Sequence, residues 1–273
     1  MVQIAVEDLD QSLSFYCDIL GLVVLKRQGP TVHLSANGKD DLIVLTGLAR
    51  QGEIARSINL NHYAILLPTR YDLAHALHRL LITRYPLQGA YDHLISESLY
   101  LSDPEGNGIE IYVDRSRSEW PYDNGRLQIS SDALDLDFLL AELGTGKIEW
   151  MGLDKETRIG HIHLQIPDLA QAQKFYHEII GFDLIMQDGP GSLYLSAGGY
   201  HHHLGLNALK EYSEYPAPDR SAGLRAFEIA LPGKNELTLV ASRLQQHSIP
   251  FKKRANWLSL KDPFHNGLTI TAR

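Results

Sequence analysis

The chain has a single cysteine, Cys17, among 273 residues. That count excludes an intramolecular disulfide and a cysteine-based zinc cluster, and nothing in the sequence calls for an oxidising compartment. Basic residues are in deficit: 25 Lys and Arg face 33 Asp and Glu, for a formal charge of −8. A general nucleic-acid binder needs a basic surface, so no nucleic-acid partner is expected. There is no run of about 18 apolar residues, so no spanning helix and no membrane partner are expected. The first ten residues carry Glu7, Asp8 and Asp10 without a basic flank, which predicts no secretory leader and a cytoplasmic protein. Disorder is excluded too, because 44% hydrophobic residues are ample for a buried core.

Histidine, by contrast, is abundant, with 13 in the chain. It is the commonest metal ligand and a frequent acid–base group. The chain is also doubled. IAVEDLDQSLSFYCDILGL (4–22) matches LQIPDLAQAQKFYHEIIGF (164–182), with Asp8-Leu9, Phe15-Tyr16 and Gly21 aligned to Asp168-Leu169, Phe175-Tyr176 and Gly181. NLNHYAILLPTRYDLAHALHRL (59–80) resembles GLRAFEIALPGKNELTLVASRL (223–244), and YLSDPEGNGIEI (100–111) resembles SLKDPFHNGLTI (259–270). The order is A–B–A′–B′. Each module opens with a short strand; Asp8 and Asp168 then open amphipathic helices that stop at a glycine, and turn-separated β segments follow. This predicts an α+β protein of four βαβββ modules. A and B occupy residues 1–115, A′ and B′ occupy 158–273, and 116–157 is read as a linker carrying one helix in the apolar-periodic stretch Leu134 to Leu143.

The chemistry concentrates in the two middle modules. In B, the first strand carries His62 and the last carries Glu110; in A′, the first strand carries His161. Two histidines and one carboxylate facing inward from strands are the facial triad of non-heme iron sites, with open positions for substrate and dioxygen. A carboxylate between Ile109 and Ile111 is costly inside without a partner. Tyr100 lies ten residues before Glu110, across the Asp103–Gly108 turn. His202 sits in the run Tyr200-His201-His202-His203, where strand alternation would turn it away from its two histidine neighbours. A histidine there can take and return a proton, and a tyrosine hydroxyl can stabilise an oxyanion. Lone strand histidines are usually core residues, and His163, His33, His75 and His78 are read that way. The two DPxxNG turns are read as structural.

SESLYLSDPEGNGIEIY (96–112), IGHIHLQIPDLAQAQKFY (159–176) and SAGGYHHHLGLN (196–207) resemble segments of the vicinal-oxygen-chelate superfamily, and within it the extradiol ring-cleaving dioxygenases of the catechol 2,3-dioxygenase type. The resemblance covers all four modules and implies two tandem domains with curved open-barrel sheets. Carried over residue by residue, it implies His62, Glu110 and His161 as metal ligands. It makes His202 the acid–base residue, Tyr100 the oxyanion partner and His93 a second-sphere histidine. The implied cofactor is Fe(II), with Mn(II) as the alternative. The implied partners are a small aromatic diol and dioxygen.

The better-known members take all their ligands from the last two modules. Here the counterparts of His62, Glu110 and Tyr100 in B′ are Ala226, Thr269 and Ser259, and those of His161 and His202 in A are Met1 and Asp41. The candidates therefore divide between B and A′, which implies that B pairs with A′ around one metal while A and B′ form a silent half. That pairing could arise within one chain or between chains, so a homo-oligomer is open. Two other readings are weighed. A glyoxalase-like lyase usually holds a glutamate or glutamine where His202 stands, and a ligand-sequestering protein of the bleomycin-resistance type lacks the triad.

Overall fold

The computed structural model describes residues 1–49, 57–209 and 221–273. Each module has the expected β-α-β-β-β order. Module A runs through the strands Val2–Val6, Val23–Gln28, Thr31–Ser35 and Ile43–Gly47, with a helix from Leu9 to Ile19 after the first strand. Module B has Leu60–Leu66, the helix Arg70–Ile82, then Gly89–Asp92, Ser96–Ser102 and Gly108–Asp114. A′ has Arg158–Ile166, a helix from Leu169 to Ile180, then Asp183–Asp188, Ser192–Ser196 and Leu204–Ala208. B′ has Gly223–Leu231, the helix Lys234–Gln246, then Lys252–Lys253, Trp257–Lys261 and Gly267–Ala272. Among the described residues no helix is long and apolar enough to cross a membrane.

The chain divides into two compact units. The first comprises Val6–Gly47 and His62–Gly160. In it Gly108–Asp114 lies between the parallel strand Leu60–Leu66 and the antiparallel strand Ser96–Ser102, which in turn pairs with Gly89–Asp92. The second unit comprises Met1–Ala5, Leu48–Asn61 and His161–Arg273. Its sheet runs place Gly223–Leu231 between Gly267–Ala272 and Val2–Val6, and Leu204–Ala208 between Arg158–Ile166 and Ser192–Ser196.

Local sequence explains these elements. Asp8 and Asp168 cap their helices by accepting from the Gln11 and Gln171 amides at 3.0 and 2.9 Å. Thr69 does the same for Arg70–Ile82, whose Leu73, Ala74, Ala76, Leu77 and Leu80 form the buried stripe. The A-type helices depart from the expected amphipathic α-helix. After one α-helical turn they widen into π-helical segments, Ser14–Ile19 and Lys174–Ile180, closed by five-residue bonds such as Leu20 N–H to Phe15 O at 3.1 Å. The consecutive aromatic pairs Phe15-Tyr16 and Phe175-Tyr176 are wholly buried there.

Register makes the duplication exact at the level of residues. His62 stands opposite Gly108 as Ala226 stands opposite Gly267. Tyr100 pairs with Glu110 as Ser259 pairs with Thr269. B′ therefore presents the B framework with the donor side chains replaced.

The turns between those last two strands hold more than themselves. Asp103 is buried, and its Oδ1 accepts from the Glu105 and Asn107 amides at 3.0 and 2.8 Å. Its Oδ2 accepts from Asn107 Nδ2 and from the Tyr16 hydroxyl at 2.8 and 2.9 Å. Asp262 repeats the pattern with Phe264, Asn266 and the Tyr176 hydroxyl, the last at 2.6 Å. Burial pushes both carboxyls up, and these hydrogen bonds pull against it. Every group around either carboxylate is a donor, so an amide there would set N–H against N–H. Asp103→Asn and Asp262→Asn should each destabilise by about 1–3 kcal/mol in urea melts, and Tyr16→Phe by about 1 kcal/mol. Burial also pushes the Tyr85 hydroxyl up to about 12. The unfolded chain therefore loses that proton first as pH rises past about 10, and stability should fall across that window by an amount that Tyr85→Phe removes.

Candidate functional site

Glu110 is the most constrained of the expected residues. It is 2% exposed on Gly108–Asp114, flanked by the buried Ile109 and Ile111. The parallel register sets Ala64 opposite Glu110, which places His62, two residues earlier, on the same face. His62 Nε2 lies 3.1 Å from Glu110 Oε2. On the other side of Glu110, Tyr100 is its directly paired neighbour, and the Tyr100 ring stands edge-on to His62 with centroids 5.6 Å apart. An imidazole nitrogen thus faces a buried carboxylate oxygen beside a half-buried phenol.

His93 completes this group. Its Nε2 lies 2.9 Å from the Tyr100 hydroxyl and its Nδ1 lies 2.6 Å from the Ser130 carbonyl. The turn that carries His93 is tightly held. Leu94 adopts a positive φ of 69°, and its amide bonds to Asp92 Oδ1 at 2.8 Å. Arg115 bridges Asp92 and the buried Glu97 at 2.8 and 3.1 Å, and Glu97 also accepts from Arg70 Nε at 2.7 Å. Burial pushes the Asp92 carboxyl up, but the Arg115 guanidinium and the Leu94 amide outweigh it and hold the carboxyl below its ordinary value. The stretch expected to be a linker takes part: Asp132–Ala133 adds a short strand to Gly89–Asp92, and the helix Leu136–Leu140 follows it.

The second unit holds an imidazole cluster. His161 and His163 share one face of Arg158–Ile166. The His161 and His202 ring centroids are 4.2 Å apart, His163 Nε2 lies 2.9 Å from His202 Nε2, and His201 Nδ1 lies 2.7 Å from His202 Nδ1. All four rings are buried. The expected alternation along His201–His203 does not hold. The strand begins only at Leu204, and the run sits in an irregular turn after Gly198 and Gly199, both at positive φ, so His201 and His202 contact each other instead of facing apart. His163, read as an ordinary core residue, belongs to the cluster. A signal for it was present, because Gly205 lies directly beside His163 in the sheet and a side chain there would come within 2.3 Å of its ring. A glycine inside a strand marks such a close approach. Module A carries the His33–Asp41 pair, 2.8 Å apart, where A′ has Tyr194 and His202.

The structure therefore brings His62, Glu110, Tyr100 and His93 together in one unit, and His161 and His202 together in the other. Within the first unit, the His62 imidazole nitrogen and the Glu110 carboxylate are donors of the kind a first-row transition metal takes.

The sequence signature of the Glyoxalase/Bleomycin resistance protein/Dioxygenase superfamily matches residues 1–111 and 158–266. The chain is 40% identical over 273 residues to a catechol-2,3-dioxygenase of Bacillus subtilis strain 168, covering 98% of this chain and 94% of that one. Among solved structures it resembles a putative dioxygenase from Bacillus subtilis, with TM-score 0.63, 13% identity, and coverage of 99% and 83%. It also resembles glyoxalase I from Zea mays, with TM-score 0.58, 14% identity, and coverage of 99% and 90%. At those identities the two structures speak to the fold alone.

The Gly205 cradle is testable. Gly205→Ala should cost about 1–3 kcal/mol of stability in denaturant melts and shift the His163 and His202 ring signals in NMR spectra of histidine-labelled protein. Unchanged spectra would show that the ring does not depend on that gap.

Proposed function

Because the chain belongs to the glyoxalase/bleomycin resistance protein/dioxygenase superfamily, we propose that it is an Fe(II)-dependent extradiol dioxygenase that opens the ring of a catechol-type substrate with dioxygen. The observation that carries the reading is the pairing of His62 with the buried Glu110, with Tyr100 beside it, in a chain 40% identical to a catechol-2,3-dioxygenase. His62, Glu110 and His161 would hold the metal, an imidazole-imidazole-carboxylate set that suits Fe(II) and also accepts Mn(II). Iron held there would supply Lewis-acid and redox chemistry for the reaction of the diol with dioxygen.

The remaining work falls to the protein. His202 holds or moves the substrate proton; its Nε2 lies 2.9 Å from His163 Nε2 and its Nδ1 lies 2.7 Å from His201 Nδ1, so the ring sits within an imidazole network. Tyr100, backed by His93, addresses a substrate oxygen. The apolar strands around Glu110 keep water from the carboxylate and strengthen its electrostatics. Lyase chemistry of the glyoxalase kind fits less well, because an imidazole stands at His202. We extend the same reading to the tandem arrangement of 1–115 and 158–273 about the segment 116–157, and to a cytoplasmic enzyme.

Protein reconstituted anaerobically with Fe(II) should consume oxygen with catechol and form a yellow ring-opened product. No uptake across a panel of substituted catechols would overturn the assignment. His161→Ala and Glu110→Gln should lose metal on desalting, whereas His202→Phe should keep it while kcat falls by about 10²–10⁴.

A further inference from the structure

The hydrogen-bond pattern at His93 has a chemical direction. A backbone carbonyl only accepts, so the 2.6 Å contact from Nδ1 to Ser130 O requires the proton on Nδ1. In the neutral ring Nε2 then carries a lone pair, and the 2.9 Å contact to Tyr100 is donated by the phenol. A tyrosine hydroxyl has one proton, so from any further partner Tyr100 can only accept.

We propose that Ser130 is a positioning residue: its carbonyl fixes the His93 tautomer, which turns Tyr100 toward the site as a hydrogen-bond acceptor and selects a substrate that still carries a hydroxyl proton at that point. This rests on the reading of Tyr100 as a substrate-facing residue and departs from the oxyanion-donor role that the resemblance implies. The carbonyl is held in place from several sides. The Ser130 amide donates to His93 O at 3.3 Å, and Ser130 Oγ donates to Asp92 O at 3.0 Å. The following residues pair with the same strand, Asp132 opposite Asp92 and Ala133 opposite Tyr91. Arg115 fixes the other side of the turn through Asp92 and donates to Leu94 O at 3.4 Å. The anchor is a main-chain atom outside the duplicated modules.

Two measurements test it. In the full chain labelled with nitrogen-15 histidine, two-bond proton–nitrogen correlations report which ring nitrogen is protonated, and the His93 signals are identified by their loss in His93→Gln. The expected result is an Nδ1–H ring at neutral pH. Replacing Ser131 by its α-hydroxy analogue converts the Ser130 carbonyl to an ester carbonyl, a weaker acceptor, and should move His93 to a mixture of tautomers. An Nε2–H ring in the native chain, or an ester variant with an unaltered pattern, overturns the proposal. The second measurement compares catechol with its mono-O-methyl ether as ligands of the Fe(II)-loaded enzyme. His93→Phe frees the Tyr100 proton for donation, and the preference for catechol should shrink about three- to tenfold, the worth of one hydrogen bond. An unchanged preference overturns the selective role of Tyr100. Failure of both ligands to bind, with the Nδ1–H ring intact, overturns the dioxygenase reading and leaves the tautomer lock standing.

Discussion

A buried carboxylate at the start of each DPxxNG turn anchors the rest of the structure. Asp103 accepts from its own turn with one oxygen and from the A helix, through the Tyr16 hydroxyl, with the other. Tyr16 also meets the Tyr63 hydroxyl at 2.7 Å, so the same point reaches the strand that carries His62. The strand that carries Glu110 begins immediately after this turn. The geometry of the His62–Glu110 pair is thus inherited from a contact that itself does no chemistry. Hydrogen bonds to a charged acceptor are stronger than neutral ones, and four of them offset part of the cost of burying the charge.

The duplication shows that this framework and the chemistry are separable. Asp262 and Tyr176 keep the anchor in the second half, yet that half's final strands offer Thr269 and Ser259 where the first offers Glu110 and Tyr100. The A-type modules diverge in the same way: one holds the His33–Asp41 pair, the other a cluster of imidazoles around His202. Donor side chains can be exchanged while the fold persists, because the stabilising contacts lie elsewhere.

This separation explains what could be read from the sequence. The repeat, the module order, the Asp caps and the pairing of Tyr100 with Glu110 were legible because each depends on side-chain identity at a fixed spacing. Glu110 was legible for a simpler reason: a carboxylate between two isoleucines demands a partner. The turn at Gly198 and Gly199 is legible as a turn, but its length is not: the chain stays irregular through His203 and the strand begins at Leu204, so alternation does not apply to the histidine run. His163 was passed over because a lone strand histidine looks the same whether it packs or bonds; only Gly205, a residue with no side chain, showed the space its ring occupies. The π-helical widening was equally hidden, since apolar spacing is nearly the same for both helices over two turns.

The segment between the halves is the clearest case of function invisible to residue type. Its composition reads as polar and turn-rich, and it holds no histidine and no cysteine. Yet one of its carbonyls meets His93 Nδ1, and every residue but proline offers the same N–H and C=O to such a contact. What distinguishes Ser130 is its place, fixed by the short strand that follows it and by the Asp92–Arg115 pair on the opposite side of the turn. A hydrogen-bond direction set there passes through one imidazole to the phenol, and from the phenol to the edge of the His62–Glu110 pair. The proton order of the site is therefore dictated by backbone placement, and a change in the path of residues 128–134 would alter it with every side chain of the duplicated modules unchanged.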